Sequence, residues 1–228
     1  GADLDASPNT LTVNVTAVND APQSADNTVT TNEDTAYTFA AADFGFSDTN
    51  DSPANSLLAV TITTLPGTGT LTHNGLAVSA GQSVALADIN AGRLVFTPAA
   101  HANGGGYASF TFQVQDDGGT ANGVDLDPTP NTLTVNVTSV NDAPQGADNT
   151  VTTLEDTAYT FAAADFGFSD ANDSPANSLL AVTITTLPGA GALTNNGAAV
   201  SAGQSVALTD IAAGRLVFTP AAHANGGG

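Results

Sequence analysis

Residues 131–145 read NTLTVNVTSVNDAPQ: eight residues that alternate small polar with apolar side chains, then Asn141 and Asp142, then Pro144. Leu133, Val135 and Val137 share one face and Thr134 and Asn136 the other, which is the period of a half-buried strand. Almost the same words, NTLTVNVTAVNDAPQ, stand at residues 9–23. Gly1 aligns with Gly123, an offset of 122 residues, and the 106 overlapping positions contain 13 mismatches. Solenoid units run to only about 20–50 residues, so a period of this length belongs to a domain that buries its own core.

The other alternating runs of the repeat are FTFQV (Phe110, Phe112 and Val114 inward), LAVTIT (Leu58, Val60, Ile62), RLVFT, TAYTF and NTVTT, with short pieces around Leu71 and Val84. Turn chemistry separates them: Pro66-Gly67, Asn74-Gly75, Ala91-Gly92, Pro98, the glycines at 104–106, and Asp117 to Gly119. ALADINAG is long enough for one helical turn. About seven short strands per repeat predict an all-β chain of tandem, Ig-like antiparallel sandwiches.

Gly1 matches Gly123 and Gly228 matches Gly106, so both ends fall inside a repeat. The expected division is residues 1–17 as the last strand of a preceding repeat, 18–139 as a complete repeat, and 140–228 as a second repeat without counterparts of its last two strands, YASFTFQV and NTLTVNVT. The chain then reads as a piece of a longer tandem array. Leu133, Val135 and Val137 are expected to be buried, and their equivalents Leu11, Val13 and Val15 exposed or paired with a foreign edge.

Twenty-two acids face two arginines, giving a net charge of −20. Such a surface repels nucleic acid and anionic membranes, and its natural partners are cations. The absence of cysteine removes disulfides, thiol chemistry and zinc-thiolate sites. No run approaches the length of a membrane span. The Thr, Asn, Asp, Gly and Ala-rich composition points to a secreted protein at the bacterial cell surface. The acids collect outside the strands, at Asn19 and Asp20, at 32–34, at 47–51, around Asp116 and Asp117, and at Asp125 and Asp127. Calcium accepts six to eight such oxygens in a tolerant geometry. The DTND at 48–51 resembles the start of an EF-hand loop, but that loop's Gly and distal Glu are absent.

The combination of an N-terminal Glu, an Asp-x-Asn/Asp loop, an Asp after a FxVxD strand and a closing VxVxxVNDAP resembles cadherin-like repeats of large bacterial repeats-in-toxin adhesins. The resemblance covers essentially the whole chain, and it implies calcium at the junctions of consecutive repeats, one or two ions at each. It implies Asn19 and Asp20 as linker ligands, Asp48, Asn50 and Asp51 as loop ligands, and Asp116 as the late acid at the same pole. Glu33 would point to the opposite pole, toward the next linker at Asn141 and Asp142. In the second copy Glu155, Asp170, Asn172 and Asp173 match.

The function this implies is a calcium-stiffened, non-catalytic spacer repeat of a secreted adhesin or surface protein. Its partners would be neighbouring repeats of the same polypeptide, with cell-surface or matrix glycans or proteins engaged through other domains. The competing reading is a calcium-dependent glycan-binding module of an extracellular polysaccharide-active protein. An enzyme is disfavoured: there is no G-x-S-x-G elbow, and aromatic residues, at 6%, are too few for a sugar platform.

Overall fold

The eight-residue alternating run NTLTVNVT at 131–138 becomes a strand over its whole length. In the computed structural model, which describes residues 1, 3 and 7–226, the chain forms two compact units, Gly1–Ser139 and Val140–Gly228. Unit 1 carries β1 (Asn27–Asn32), β2 (Tyr37–Thr38), β3 (Leu57–Ile62), β4 (Thr70–His73), β5 (Leu76–Ala77), β6 (Gln82–Ala85), β7 (Leu94–Thr97), β8 (Gly104–Asp116) and β9 (Asn131–Thr138). A 3-10 turn spans Ala41–Phe44, and a one-turn helix, α1, spans Leu86–Asn90. The strands form two sheets, ordered β1-β9-β8-β3-β6 and β2-β7-β4-β5. Nine strands form, one more than the eight segments named from the sequence, because the Asn74-Gly75 turn folds back into the short β5. Both turn residues have positive φ, 53° and 76°, the backbone a two-residue hairpin demands.

Val60, Ile62, Val84, Phe110, Phe112, Val114, Leu133 and Val135 from the first sheet enter one core with Phe96, Leu94 and Leu71 from the second and Phe39 just after β2. Phe44 closes it, edge-on to Phe112 at 5.0 Å between ring centroids. Two expectations need correction. The sandwich is not wholly antiparallel, since β1 runs parallel to β9 with Val29 opposite Val135. Both strands start at the same pole, where Asp26 accepts hydrogen bonds from the Thr132 amide at 2.7 Å and the Asn131 side chain at 3.1 Å. Leu58 is not inward either: a register shift between Leu57 and Ala59 turns it out to 47% exposure and leaves Leu57 packed on the core.

Unit 2 carries β10 (Tyr159–Thr160), β11 (Ala181–Ile184), β12 (Ala192–Asn195), β13 (Ala198–Ala199), β14 (Gln204–Ala207) and β15 (Leu216–Thr219), with a one-turn helix, α2, at Leu208–Ala212. The sheet β10-β15-β12-β13 repeats its unit 1 counterpart, whereas β11 and β14 stand as a pair. Residues 149–153, NTVTT, are identical to the start of β1 yet carry no strand. The partner that orders β1 is β9, and unit 2 contains no copy of the β8 or β9 sequence. The converse holds at residues 9–16, identical to β9 and likewise without strand. Leu11, Val13 and Val15 are 89%, 76% and 90% exposed, while Leu133, Val135 and Val137 are buried.

One buried difference between the units yields a stability prediction. In unit 1, His73 bonds Asp88 through Nε2 at 2.9 Å and receives Gln82 Nε2 at Nδ1, 3.1 Å. Arg93 first and His73 second hold the Asp88 carboxyl below the usual range. Unit 2 has Asn195 instead; its Nδ2 reaches Asp210 at 3.1 Å, but its Oδ1 is buried with no partner. Asn195→His should restore the bond toward Gln204 and remove that unmet acceptor. The expected gain in unit 2 is about 1 kcal/mol, read as a rise in the unit 2 transition by calorimetry with unit 1 unchanged.

Candidate functional site

The pole at which β1 and β9 begin gathers acids from four parts of the sequence. The β8 strand ends on Asp116, fully buried, whose Oδ1 accepts Gly118 N at 2.8 Å and the Asn19 amide at 3.2 Å. Asn19 also donates to Val124 O at 2.8 Å, and its backbone bridges to Gly123. Asp48, 8% exposed, lies in the loop after the 3-10 turn; its Oδ2 accepts Asn55 N at 2.6 Å, and its Oδ1 is buried with no partner. Asp51 accepts the Asp20 amide at 3.1 Å and the Asn55 side chain at 3.1 Å. Asn55 Nδ2 closes the ring on Asn19 Oδ1.

The electrostatics follow from that packing. Burial above all, and then the neighbouring Asp48 and Asp125 carboxylates, push the Asp116 carboxyl up, opposed by its bonds from Gly118 and Asn19. The loop backbone is pressed against Asn19: a Cβ on Gly118 would stand 1.7 Å from Asn19 Oδ1, and one on Gly123 1.9 Å from Asn19 O. Both turns therefore require glycine.

Unit 2 repeats the arrangement. Asp170 Oδ2 accepts Asn177 N at 2.7 Å, and Asp170 Oδ1 is again buried without a partner. Asp173 accepts the Asp142 amide at 3.0 Å and the Asn177 side chain at 2.8 Å, and Asn177 bonds Asn141 Oδ1 at 2.7 Å. A carboxylate oxygen sealed from water without a donor is costly unless a cation faces it. The same atom is left so in both units.

Of the candidate ligands, Asn19, Asp48, Asp51 and Asp116 come together in unit 1, and Asn141, Asp170 and Asp173 in unit 2. Asp20 is exposed and joins unit 1's cluster through its backbone amide; its side chain lines a shallow depression with Asn50 and Asp127. Asp127 is already satisfied there, by Ser24 N at 3.0 Å, the Ser24 hydroxyl, and Thr129 N at 2.9 Å. Asn172 is half-buried in the loop between Asp170 and Asp173. Glu33 sits at the far pole, buried, bonded by Asn103 Nδ2 at 2.9 Å, its amide donating to Thr138 O at the end of β9. Glu155 is exposed, in the segment that forms no strand. Sequence reasoning missed Asn55 and Asn177, the hubs of the two rings. Their signal was the spacing, seven residues after Asp48 and Asp170 in DxNDSPAN.

No Phe or Tyr is exposed among the described residues, and none of their helices is long and apolar enough to cross a membrane. The model of a family described as a bacterial Ig domain matches residues 19–138, more than half of the chain, from Asn19 of the cluster to the last residue of β9. No curated protein and no solved structure matches the chain.

Proposed function

The chain belongs to the bacterial Ig domain family, and from that premise we propose that it is a calcium-stiffened spacer of a bacterial surface protein, of the cadherin-like kind, structural rather than catalytic. The observation that carries this reading is the buried, partnerless oxygen of Asp48, set beside Asp116 and repeated at Asp170. Asp48, Asp116 and Asp51 would hold the ion in unit 1, with Asn19 and Asn55 supplying amide oxygens. Asp170 and Asp173 would do so in unit 2, with Asn141 and Asn177. Calcium supplies charge compensation that the two arginines do not, since they are paired with Asp88 and Asp210. The partners are then neighbouring repeats of the same polypeptide, and the setting is extracellular.

Extracellular modules bind calcium with dissociation constants of roughly 10⁻⁴ to 10⁻³ M. Isothermal titration of the chelator-stripped chain should show saturable binding in that range, tighter in unit 1, where Asp116 adds a third carboxylate to Asp48 and Asp51. Small-angle scattering should show a narrower spread of particle dimensions with calcium than with chelator. Heat-free titration together with unchanged scattering would refute the reading.

A further inference from the structure

We infer that Asn122-Gly123 is a site of spontaneous deamidation, and that its isoaspartate product releases the Asn19 segment from unit 1. The inference is independent of the calcium reading.

Deamidation of an Asn-Gly pair needs only water. The glycine amide nitrogen attacks the asparagine Cγ and passes its proton to solvent. A C–N bond forms, the bond from Cγ to Nδ2 breaks, and ammonia leaves. Water then opens the cyclic imide at either carbonyl. One opening gives aspartate. The other gives isoaspartate, whose main chain runs through Cβ and Cγ and whose former backbone carbonyl becomes a free carboxylate. Glycine favours the attack because no side chain crowds its nitrogen and its backbone turns freely.

Three Asn-Gly pairs stand in unit 1, and the fold treats them differently. Asn74 and Gly75 form the turn between β4 and β5, held at positive φ by the pairing of His73 with Leu76 and of Thr72 with Ala77. Swinging Gly75 N onto Asn74 Cγ means opening that hairpin, and an opening cost of ~1.4 kcal/mol already slows attack about tenfold. Asn103 is half-buried, and its Nδ2, the leaving group, donates to the buried Glu33 at 2.9 Å. Gly104 is the first residue of β8, opposite Val137. Asn122 has neither restraint. It is exposed in a turn, and neither it nor Gly123 belongs to a strand. Its carbonyl accepts Asn19 N at a long 3.3 Å, while Gly123 N, the attacking atom, takes no part in the backbone bonds to Asn19.

The consequence falls on Asn19. Its N–H donates to Asn122 O and its C=O accepts Val124 N at 3.0 Å, so residues 122–124 clasp it from both sides of the peptide. The clasp is close, since a Cβ on Gly123 would stand 1.9 Å from Asn19 O. Isoaspartate inserts an extra atom into the main chain between these two bonds and turns the Asn122 acceptor into a carboxylate outside the chain. A negative charge thus enters a protein that already carries −20, on the residue bonded to Asn19, whose side-chain amide holds Asp116.

The chain is aged in mildly alkaline buffer with chelator, and isoaspartate is located by peptide mass spectrometry and enzymatic methyl transfer. Modification at residue 122 is expected to run about tenfold or more ahead of residue 74 and of Asn196, which sits in the same hairpin turn of unit 2. Hydrogen exchange of the aged chain should show loss of protection at the Asn19 and Val124 amides. Asn122→Ser, a change at an exposed position, should abolish the modification and preserve that protection through ageing. Freshly prepared Asn122→Asp, which supplies the charge without the extra main-chain atom, should preserve it as well. Isoaspartate spread evenly over residues 74, 122 and 196 would overturn the proposal. So would undiminished protection of Asn19 and Val124 in chains modified at 122, or its loss in fresh Asn122→Asp.

Discussion

Replacing Phe44 by alanine is expected to lower the stability of unit 1 by about 3–5 kcal/mol, the usual cost of emptying a fully buried phenylalanine site. Replacing its repeat partner, Phe166, should cost less than half as much. The local sequences are identical, FAAADFGF, and so are the turns, with the glycine after each Phe at φ 54°. The surroundings differ. Phe44 is sealed between Phe39 and Phe112, at 6.0 Å and 5.0 Å. Phe166 keeps only the first neighbour, Phe161 at 5.8 Å, and remains half-buried, because nothing in unit 2 corresponds to Phe112. Calorimetry of the two variants distinguishes the units: Phe44→Ala should lower the unit 1 transition by more than ~10 °C and Phe166→Ala should shift the other modestly. Equal shifts would mean that the identical turns, rather than the packing over them, set the stability.

Asp48→Asn should change stability with opposite signs in chelator and in calcium. Without metal, the substitution removes a buried negative charge that faces Asp116 and has no donor at Oδ1, while its remaining oxygen can still accept Asn55 N. Unit 1 should then be more stable than the native chain by about 1–3 kcal/mol. In calcium at about a hundred times the dissociation constant, the native chain gains about 2.7 kcal/mol by mass action, and the variant should forfeit most of it. The two melting curves should therefore exchange order between buffers. If Asp48→Asn lowers the midpoint equally in both, Asp48 is a structural acceptor and the calcium reading fails.

The elements that the sequence made legible are those whose partners lie close by. The alternation in FTFQV placed Phe110, Phe112 and Val114 inward, and they are buried in β8. Asn74-Gly75 marked a turn by its backbone chemistry alone. By contrast, NTLTVNVT is strand at 131–138 and not at 9–16, and NTVTT is strand at 27–31 and not at 149–153. Local pattern says which face a strand would bury, but a strand exists only where a neighbour supplies its hydrogen bonds. The Leu58 error has the same origin, since a bulge is a property of the β3–β8 pair and not of either segment. At the candidate site, the grouping of Asn19, Asp48 and Asp116 was implied by the resemblance to cadherin-like repeats. The role of Asn55 was not, because an amide that cross-links carboxylates looks like any loop asparagine until the loop is folded.

The parallel pairing of β1 with β9 has a mechanical consequence. The chain enters unit 1 at the pole where both strands begin and leaves from the opposite pole, after Thr138. Pulling the two ends apart drags β1 and β9 in opposite directions along their shared seam. The load falls across their evenly spaced hydrogen bonds as shear, all at once, instead of opening them one after another like a zip. Rupture then requires the whole six-residue seam to give way together, with Val29 dragged out of the core. A domain wired in this way resists extension far more than its modest length of pairing suggests, a property suited to a link that must carry tension.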